Sequence, residues 1–393
     1  MKTLLVSSSL LLALFLFASH DGTVKSASLD ESTPVPAVGT FGGPSRQLTT
    51  SELTSWINGR RLFDKDFRFS EGLGGPEYNG DSCRACHEDP VIGGAGGLEL
   101  NVSRFAFDNG GSGPYMDLPG GQAASKFRRL DAAALSVGPR EEIDPTADVF
   151  EQRQTPALFG FGEIDLISDA TILSNEDPGD ANSDGVMGVA RMIMVAGVQE
   201  VGRFGWKGQV PRLADFVRDA MGGEMGITVP NNGRGFGSLS DNDPAADPEI
   251  SDADLDDIAF FLSHLAAPPR GGSTAPEVAQ GEVLFTQVGC ATCHIPTLMG
   301  PSGPVTLYSN LLLHHIFAPT FRGMSEPGAP VGFYKTPVLI GISRSAPYLH
   351  DGRAETLQAA IEAHLGEASN AQAAFFNLTA TEQAALITFL EDL

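Results

Sequence analysis

The four cysteines of this 393-residue chain form two copies of one motif. They occur as Cys83-Arg84-Ala85-Cys86-His87 and Cys290-Ala291-Thr292-Cys293-His294, so every cysteine is used. Cys-x-x-Cys-His is the attachment sequence of c-type haem, in which two thioethers hold the porphyrin and the histidine is the proximal iron ligand. A shared zinc site or a redox dithiol needs only the cysteines and does not explain the repeated histidine. The motifs predict two covalently bound haem c groups, with His87 and His294 on the irons.

The sequence around each motif predicts the helices that position it. Gly59 lies four residues before Phe63 ahead of the first motif, and Gly281 has the same relation to Phe285 ahead of the second. Far downstream, each copy ends in an amphipathic helix that starts with a capping-box pattern. The two patterns are Ser251 with Asp254, and Thr379 with Glu382. An entry helix whose glycine permits close crossing by a terminal helix is how small cytochrome c domains cover a haem.

This internal repeat sets the expected fold class and domain organisation. A Pro- and Gly-rich segment, residues 266–276, lies between the copies and is predicted to be the interdomain linker. We expect a mainly α fold with two cytochrome c-like domains and long irregular loops. The N-terminal haem c domain would span residues 29–270, enlarged by a Gly- and Asp-rich insertion over residues 88–250. The C-terminal cytochrome c domain would span residues 271–393.

Residues 1–28 have the pattern of a targeting segment. Lys2 precedes an apolar run from Leu4 to Phe17 that is short for a membrane span, which predicts a cleavable secretory signal peptide and a flexible N-terminus. An uncleaved anchor is the alternative. The rest of the chain has no second run long enough to span a bilayer, so we expect a soluble periplasmic protein without an integral membrane span after cleavage.

The charge balance restricts the partners. The chain has 25 Lys and Arg residues against 49 Asp and Glu residues, a net charge of −24. This charge repels polyphosphate and anionic lipid, so no nucleic-acid partner is expected. A cationic partner, such as an electron-donor cytochrome or another cationic redox protein, would be attracted.

Several further segments resemble one known group of proteins. The segments Phe333-Tyr334-Lys335-Thr336-Pro337-Val338-Leu339 and Ser345-Ala346-Pro347-Tyr348-Leu349-His350-Asp351-Gly352 resemble the second-domain signature of the bacterial di-haem cytochrome c peroxidase and MauG superfamily. Closer similarity to its di-haem oxidoreductase branch, sometimes labelled thiol oxidoreductase-like, comes from Glu71–Gly74, Val201–Lys207 and His350–Ala354. The resemblance spans residues 50–393, which is nearly the whole mature chain.

The resemblance implies a role for each haem and for two side chains. In the superfamily the N-terminal haem is the reactive one, and the C-terminal haem passes electrons. Trp206 stands where a tryptophan lies between the haems, and Glu224 stands where the distal acid lies. A carboxylate there can move a proton between the two oxygens of a peroxide and assist cleavage of the bond between them. A core tryptophan and a solvated loop glutamate are the alternative interpretations.

The chain also departs from the superfamily pattern. Phe216 occupies a position that is often Gln, which weakens the peroxidase interpretation. No histidine occurs between His87 and His264, so the removable distal histidine of other members has no counterpart. The first haem is therefore expected to be five-coordinate or water-bound, unless a methionine such as Met116 binds it.

The sixth ligand of the second haem is expected from the C-terminal domain. His364 stands where relatives place a Met or Tyr ligand. Two histidine ligands would lower the redox potential relative to a His and Met pair. Met299 and Met324 are the rival ligands, and a haem without a sixth protein ligand is the remaining alternative.

One acidic loop is a candidate calcium site. Asp180, Asn182 and Asp184 match the alternating oxygen positions at the start of a calcium-binding loop, but Arg191 stands where the closing Glu should be. Related di-haem enzymes also hold calcium between the haems with backbone oxygens near the positions of Ser345 and Pro347. We expect one bound calcium ion, and an acidic turn that binds nothing is the alternative.

These observations predict an exported di-haem c-type oxidoreductase that is peroxidase-like. Its first haem would be the reaction centre for a small oxidant such as hydrogen peroxide, and its second haem would be the electron-transfer centre. Two alternatives stay open. The chain could be a di-haem electron-transfer cytochrome without substrate chemistry, or an oxidase of an organic or protein-derived substrate.

Overall fold

The computed structural model describes residues 29, 33–108, 123–129, 143, 145–230, 235–241 and 243–393. The predicted signal peptide over residues 1–28 and the rival ligand Met116 lie outside these residues. In the part of the chain that is described, none of the helices combines the length and the hydropathy of a membrane span.

The described residues form nine α-helices. Their bounds are α1 (Thr50–Asp64), α2 (Phe161–Asp165), α3 (Asp169–Leu173), α4 (Leu213–Met225), α5 (Asp252–Ser263), α6 (Pro276–Gln287), α7 (Leu357–Glu362), α8 (Ser369–Phe376) and α9 (Ala380–Asp392). The predicted caps are confirmed. The Ser251 side chain accepts a hydrogen bond from the Asp254 N–H at the start of α5. Thr379 and Glu382 form a complete capping box at the start of α9.

Eleven short antiparallel strands lie between the helices of the described residues. Their bounds are β1 (Glu77–Tyr78), β2 (Val102–Ala106), β3 (Ala123–Ala124), β4 (Phe127–Arg128), β5 (Val149–Arg153), β6 (Met192–Val195), β7 (Val198–Val201), β8 (Thr297–Gly300), β9 (Gly303–Thr306), β10 (Leu313–His315) and β11 (Phe333–Lys335). They form a three-stranded sheet in the order β3-β2-β5 and the pairs β1-β4, β6-β7, β8-β9 and β10-β11.

The prediction of a mainly α fold is wrong. Only 32% of the described residues are helical and 15% are in strands, and the segment expected to be an irregular insertion contains β2 to β7. Strands of two to five residues are too short to show a clear alternation of polar and apolar residues.

In the β6-β7 hairpin, Ala196 and Gly197 both have positive φ, at 48° and 87°. Such a two-residue turn matches the twist of paired strands.

The predicted helix crossings are confirmed in both copies. A Cβ atom at Gly59 would lie 1.9 Å from the Asp257 carbonyl oxygen of α5. A Cβ atom at Gly281 would lie 2.1 Å from the Ala385 carbonyl oxygen of α9. Only glycine therefore allows α1 to cross α5, and α6 to cross α9, at these distances. The crossings hold the entry helix of each motif against its closing helix.

Each crossing has its own apolar cluster. Phe63 and Phe261 pack together in the first cluster, and Phe285 and Phe389 pack together in the second. The first cluster also includes Leu312, which follows the second motif in the chain. The two halves of the chain therefore share buried surface, and the domain boundary at residues 270 and 271 stays a prediction.

Candidate functional site

The structure fixes the histidine of the first motif by its Nδ1 atom. His87 Nδ1 lies 3.0 Å from the carbonyl oxygen of Pro156 and 3.2 Å from that of Gly94. Because a carbonyl can only accept, Nδ1 carries the proton and Nε2 keeps its lone pair. Burial lowers the pKa of His87 to about 4, so that the ring is neutral at physiological pH. This is the state in which an imidazole binds a metal.

The histidine of the second motif has the same arrangement. His294 Nδ1 lies 2.9 Å from the carbonyl oxygen of Tyr308. Burial, with a smaller contribution from the neighbouring His364, lowers the pKa of His294 to about 3, although the hydrogen bond to the Tyr308 carbonyl raises it. Both motif histidines are therefore neutral and oriented, with Nε2 available as a metal ligand.

The environment of the cysteines differs from that of a reactive dithiol. Burial raises the pKa of Cys83 and Cys293 to about 12 and of Cys86 and Cys290 to about 11. Redox-active thiols have lowered pKa values instead. Among the described residues, the group of His, Cys, Asp and Glu atoms that could hold a metal is Asp241, Asp247 and Glu249, without a cysteine. The raised pKa values of the cysteines oppose a redox-active dithiol.

A cavity of about 570 Å³ adjoins the second motif. Its lining includes Cys290, Cys293, His294 and His364. The volume lies within the usual range of ligand and cofactor sites. His364 follows the C-terminal end of α7, and its Nδ1 lies 2.6 Å from the Ala360 carbonyl oxygen of that helix, so that its Nε2 is also left with a lone pair.

The structure separates His364 from its rivals as a sixth ligand. Met299 is 60% exposed on β8, and Met324 is fully buried in a small cluster with Ala106 and Val149. Neither methionine lines the cavity around His294. The resemblance favoured His364 over Met299 and Met324, and the fold places only His364 of the three at this cavity.

Trp206 lies at the connection between the two motifs. Its indole lines the cavity of the second motif, and its Nε1 donates to the Gln154 carbonyl oxygen at 2.8 Å. The carbonyl of Pro156, two residues after Gln154, accepts the hydrogen bond from His87 Nδ1. Residues 154–156 thus contact both His87 and Trp206, and the bridging role of Trp206 stays a prediction.

Glu224 lies near the first motif at the end of α4. Its carboxylate accepts a hydrogen bond of 2.7 Å from Asn79 Nδ2, and its backbone carbonyl accepts one of 2.6 Å from the Asn79 N–H. Glu224 is an exposed residue, and it does not line the cavity of the second motif. Desolvation of the carboxylate raises the pKa of Glu224, while the Asn79 hydrogen bond lowers it to a smaller extent. Glu224 is also close enough to Cys86 to raise the pKa of that thiol.

The acidic loop uses its side-chain oxygens internally. Asp180 Oδ1 accepts from the Gly185 N–H at 3.1 Å, Asn182 Oδ1 from the Asp184 N–H at 2.9 Å, and Asp184 Oδ1 from the Val186 N–H at 2.8 Å. Arg191 at the closing position pairs with Glu326 at 2.7 Å. Calcium at this loop stays a prediction.

Lys335 and His350 also line the cavity of the second motif, and the sequence analysis did not identify them as site residues. Lys335 is buried, and its Nζ makes one hydrogen bond of 3.4 Å to the Thr336 carbonyl; no carboxylate among the described residues pairs with it. His350 is buried with no hydrogen-bond partner for Nε2 in the same part of the chain. Burying an unpaired ammonium is costly, so a carboxylate on the bound group would be favourable. The donor set and the size of the cavity therefore fit a haem with its propionates.

The chain was compared with known proteins. A family model described as "Di-haem oxidoreductase, putative peroxidase" matches residues 146–393. No match was found among curated proteins. Among solved structures, a MauG-like protein associated with microbial copper homeostasis is 16% identical over 93% of this chain and 95% of that chain, with a TM-score of 0.43. Hydrazine synthase from Kuenenia stuttgartiensis is 16% identical over 93% of this chain and 99% of that chain, with a TM-score of 0.39.

Proposed function

The chain belongs to the di-haem oxidoreductase family, and we propose that it is an exported c-type enzyme with peroxidase-like activity. The haem held by Cys83, Cys86 and His87 would be the reaction centre. The haem held by Cys290, Cys293 and His294 would be the electron-transfer centre. One observation carries this proposal: both motif histidines are neutral, fixed through Nδ1 and free at Nε2, but among the described residues only the second shares a cavity with another such histidine, His364.

This asymmetry favours different roles for the two sites. A haem with two histidine ligands has no open position and can only exchange electrons. No histidine follows His87 until His264, so an open position at the first site is expected. When bound, the haem irons would supply the redox chemistry. The protein would supply orientation, a dry cavity and proton transfer.

Glu224 is proposed as the proton-transfer group of the first site. Because its pKa is raised, its carboxyl can both accept and release a proton nearer to neutral pH than an ordinary glutamate can. Asn79 holds one carboxylate oxygen, so that the other can face a bound hydrogen peroxide. Trp206 is proposed as the group through which electrons pass between the sites.

The surface supports a cationic redox protein as the electron donor, because the chain carries a net charge of −24. Export to the periplasm and a bound calcium ion belong to the same proposal. They rest on the pattern of residues 1–28 and on the loop at Asp180, Asn182 and Asp184.

A plain electron-transfer cytochrome is the second candidate function. Phe216, where an amide is often found, packs its ring against Phe204 at 5.9 Å and Phe161 at 6.4 Å. It therefore offers no hydrogen bond to a peroxide. An oxidase of an organic or protein-derived substrate would use the same open site.

Spectroscopy on the haem-loaded protein tests the proposal. We expect one high-spin and one low-spin ferric haem by electron paramagnetic resonance (EPR), with the high-spin signal consumed by hydrogen peroxide. Glu224→Gln should keep both resting signals and slow the reaction with peroxide by about 100-fold, the usual contribution of a general acid-base group. Two low-spin haems that do not respond to peroxide in any redox state would refute the enzyme and leave the cytochrome.

A further inference from the structure

Tyr334 is a buried tyrosine at the wall of the second cavity. It lies on β11, is 3% exposed, and lines the cavity together with Trp206 and His294. Its ring stacks on His350 with a centroid distance of 4.0 Å and an interplanar angle of 24°. The N–H of the next residue, Lys335, donates to the Trp206 carbonyl at 2.8 Å, so Tyr334 and Trp206 are held side by side.

The hydroxyl of Tyr334 has a buried proton acceptor. It donates to Glu151 Oε2 at 2.6 Å, and both residues are buried. The same carboxylate pairs with Arg153 and accepts the Met324 N–H. These contacts hold one of its oxygens against the phenol. The pair spans residues from opposite halves of the chain and is therefore built by the fold.

The surroundings decide how this tyrosine can lose an electron. Lys207 Nζ lies 4.2 Å from the ring centroid of Tyr334, and the Arg153 guanidinium carbon lies at 5.8 Å. Burial lowers the pKa of Lys207 to about 7, so its ammonium adds positive charge only when it is protonated. A positively charged tyrosine radical beside this lysine and the Arg153 guanidinium is disfavoured. The phenolate is disfavoured too, because burial and the nearby Glu151 raise the pKa of Tyr334. Electron loss must therefore be accompanied by proton loss along the hydrogen bond to Glu151.

We propose that Tyr334 is a redox-active relay residue, whose one-electron oxidation is coupled to proton transfer from its hydroxyl to Glu151. The inference rests on the proposed function, since the oxidant it names is a peroxide-oxidised c-type haem of this protein. One electron passes from the phenol to the oxidised haem, the O–H bond breaks, and the proton joins Glu151 Oε2. A neutral tyrosyl radical remains. One electron from the donor protein and return of the same proton restore Tyr334.

The test is EPR on the haem-loaded protein, frozen seconds after addition of hydrogen peroxide. Wild-type protein should give an organic radical signal that narrows when the protein is grown with ring-deuterated tyrosine. Tyr334→Phe should reduce this signal at least tenfold, and so should Glu151→Gln, which keeps a hydrogen-bond partner but accepts no proton. Tyr348→Phe is the matched control: Tyr348 lines the same cavity, but within the described residues its hydroxyl has no hydrogen bond to a carboxylate.

A second oxidant separates this inference from the proposed function. If peroxide leaves the haems of the wild type unchanged, the peroxidase proposal fails. Tyr334 can then still be tested directly, by flash oxidation of the same protein with a photoexcited ruthenium complex and a sacrificial electron acceptor. A tyrosyl radical whose formation slows in deuterated water would still support the relay. Where Tyr334→Phe folds poorly, 3,5-difluorotyrosine at position 334 should add fluorine splitting to the signal. A radical that persists in Tyr334→Phe, or no radical with either oxidant, would overturn the relay.

Discussion

Replacing Gly59 by alanine tests the helix crossing that supports the first motif. The added Cβ would lie 1.9 Å from the Asp257 carbonyl oxygen and 2.8 Å from Phe261 Cβ. Both distances are below any contact that Cβ atoms adopt, and one of the two atoms is backbone, so α1 and α5 must separate. Overpacking of this kind costs about 1–3 kcal/mol. The better helix propensity of alanine returns about 0.5–1 kcal/mol.

Because the closest clash is with a backbone atom, the upper half of the overpacking range applies, and the net expectation is a loss of about 1–2.5 kcal/mol in the free energy of unfolding, or roughly 5- to 70-fold in the folding equilibrium. The assay is urea denaturation of the haem-loaded protein, followed by circular dichroism. Gly223→Ala is the matched control, because Gly223 is also helical but a Cβ there meets nothing within 4 Å. It should be neutral or stabilising by about 0.5–1 kcal/mol. An equal midpoint for Gly59→Ala and wild type would refute the argument from close crossing.

Three further predictions concern the site and its buried charges. His364→Ala should convert the low-spin haem into a high-spin one in EPR spectra. Met299→Ala is the control and should leave that haem low-spin. A haem that stays low-spin in His364→Ala would show that His364 is not the sixth ligand. Trp206→Phe should slow electron transfer between the haems in flash kinetics without changing the reduction of either haem alone, and unchanged transfer would remove Trp206 from the route. Burial raises the pKa of Glu326, but Arg153, Arg104 and Arg191 outweigh it and hold the pKa at about 2. Because the pKa of Glu326 is lower in the folded state, its carboxylate stabilises the protein above its unfolded-state pKa, and this stability is lost as the pH falls towards 2. Glu326→Gln should therefore flatten this part of the curve of stability against pH and cost about 3–5 kcal/mol at neutral pH. Parallel acid denaturation curves for the variant and the wild type would contradict the prediction.

The repeated parts of the molecule were the most predictable from sequence. Local capping chemistry defined the starts of α5 and α9, since a side chain three residues away satisfies the first backbone N–H groups. The spacing of Gly59 and Gly281 also indicated the crossings, because a missing side chain on an apolar helix face has few other uses. The strands could not be predicted in the same way. Pairs such as β10 and β11 are three residues each and depend on contacts across 20 residues of chain.

The sequence by itself determined which residues attach the cofactors, because covalent haem attachment needs cysteines and histidine at fixed short spacing. It also indicated the family, which the match over residues 146–393 establishes. Only the tertiary structure decided which distant groups meet. It brought His364 rather than Met299 to the cavity of His294, and it placed Glu151 against Tyr334 across 183 residues. Such pairs follow from how the two halves pack, and no local pattern in the chain encodes them.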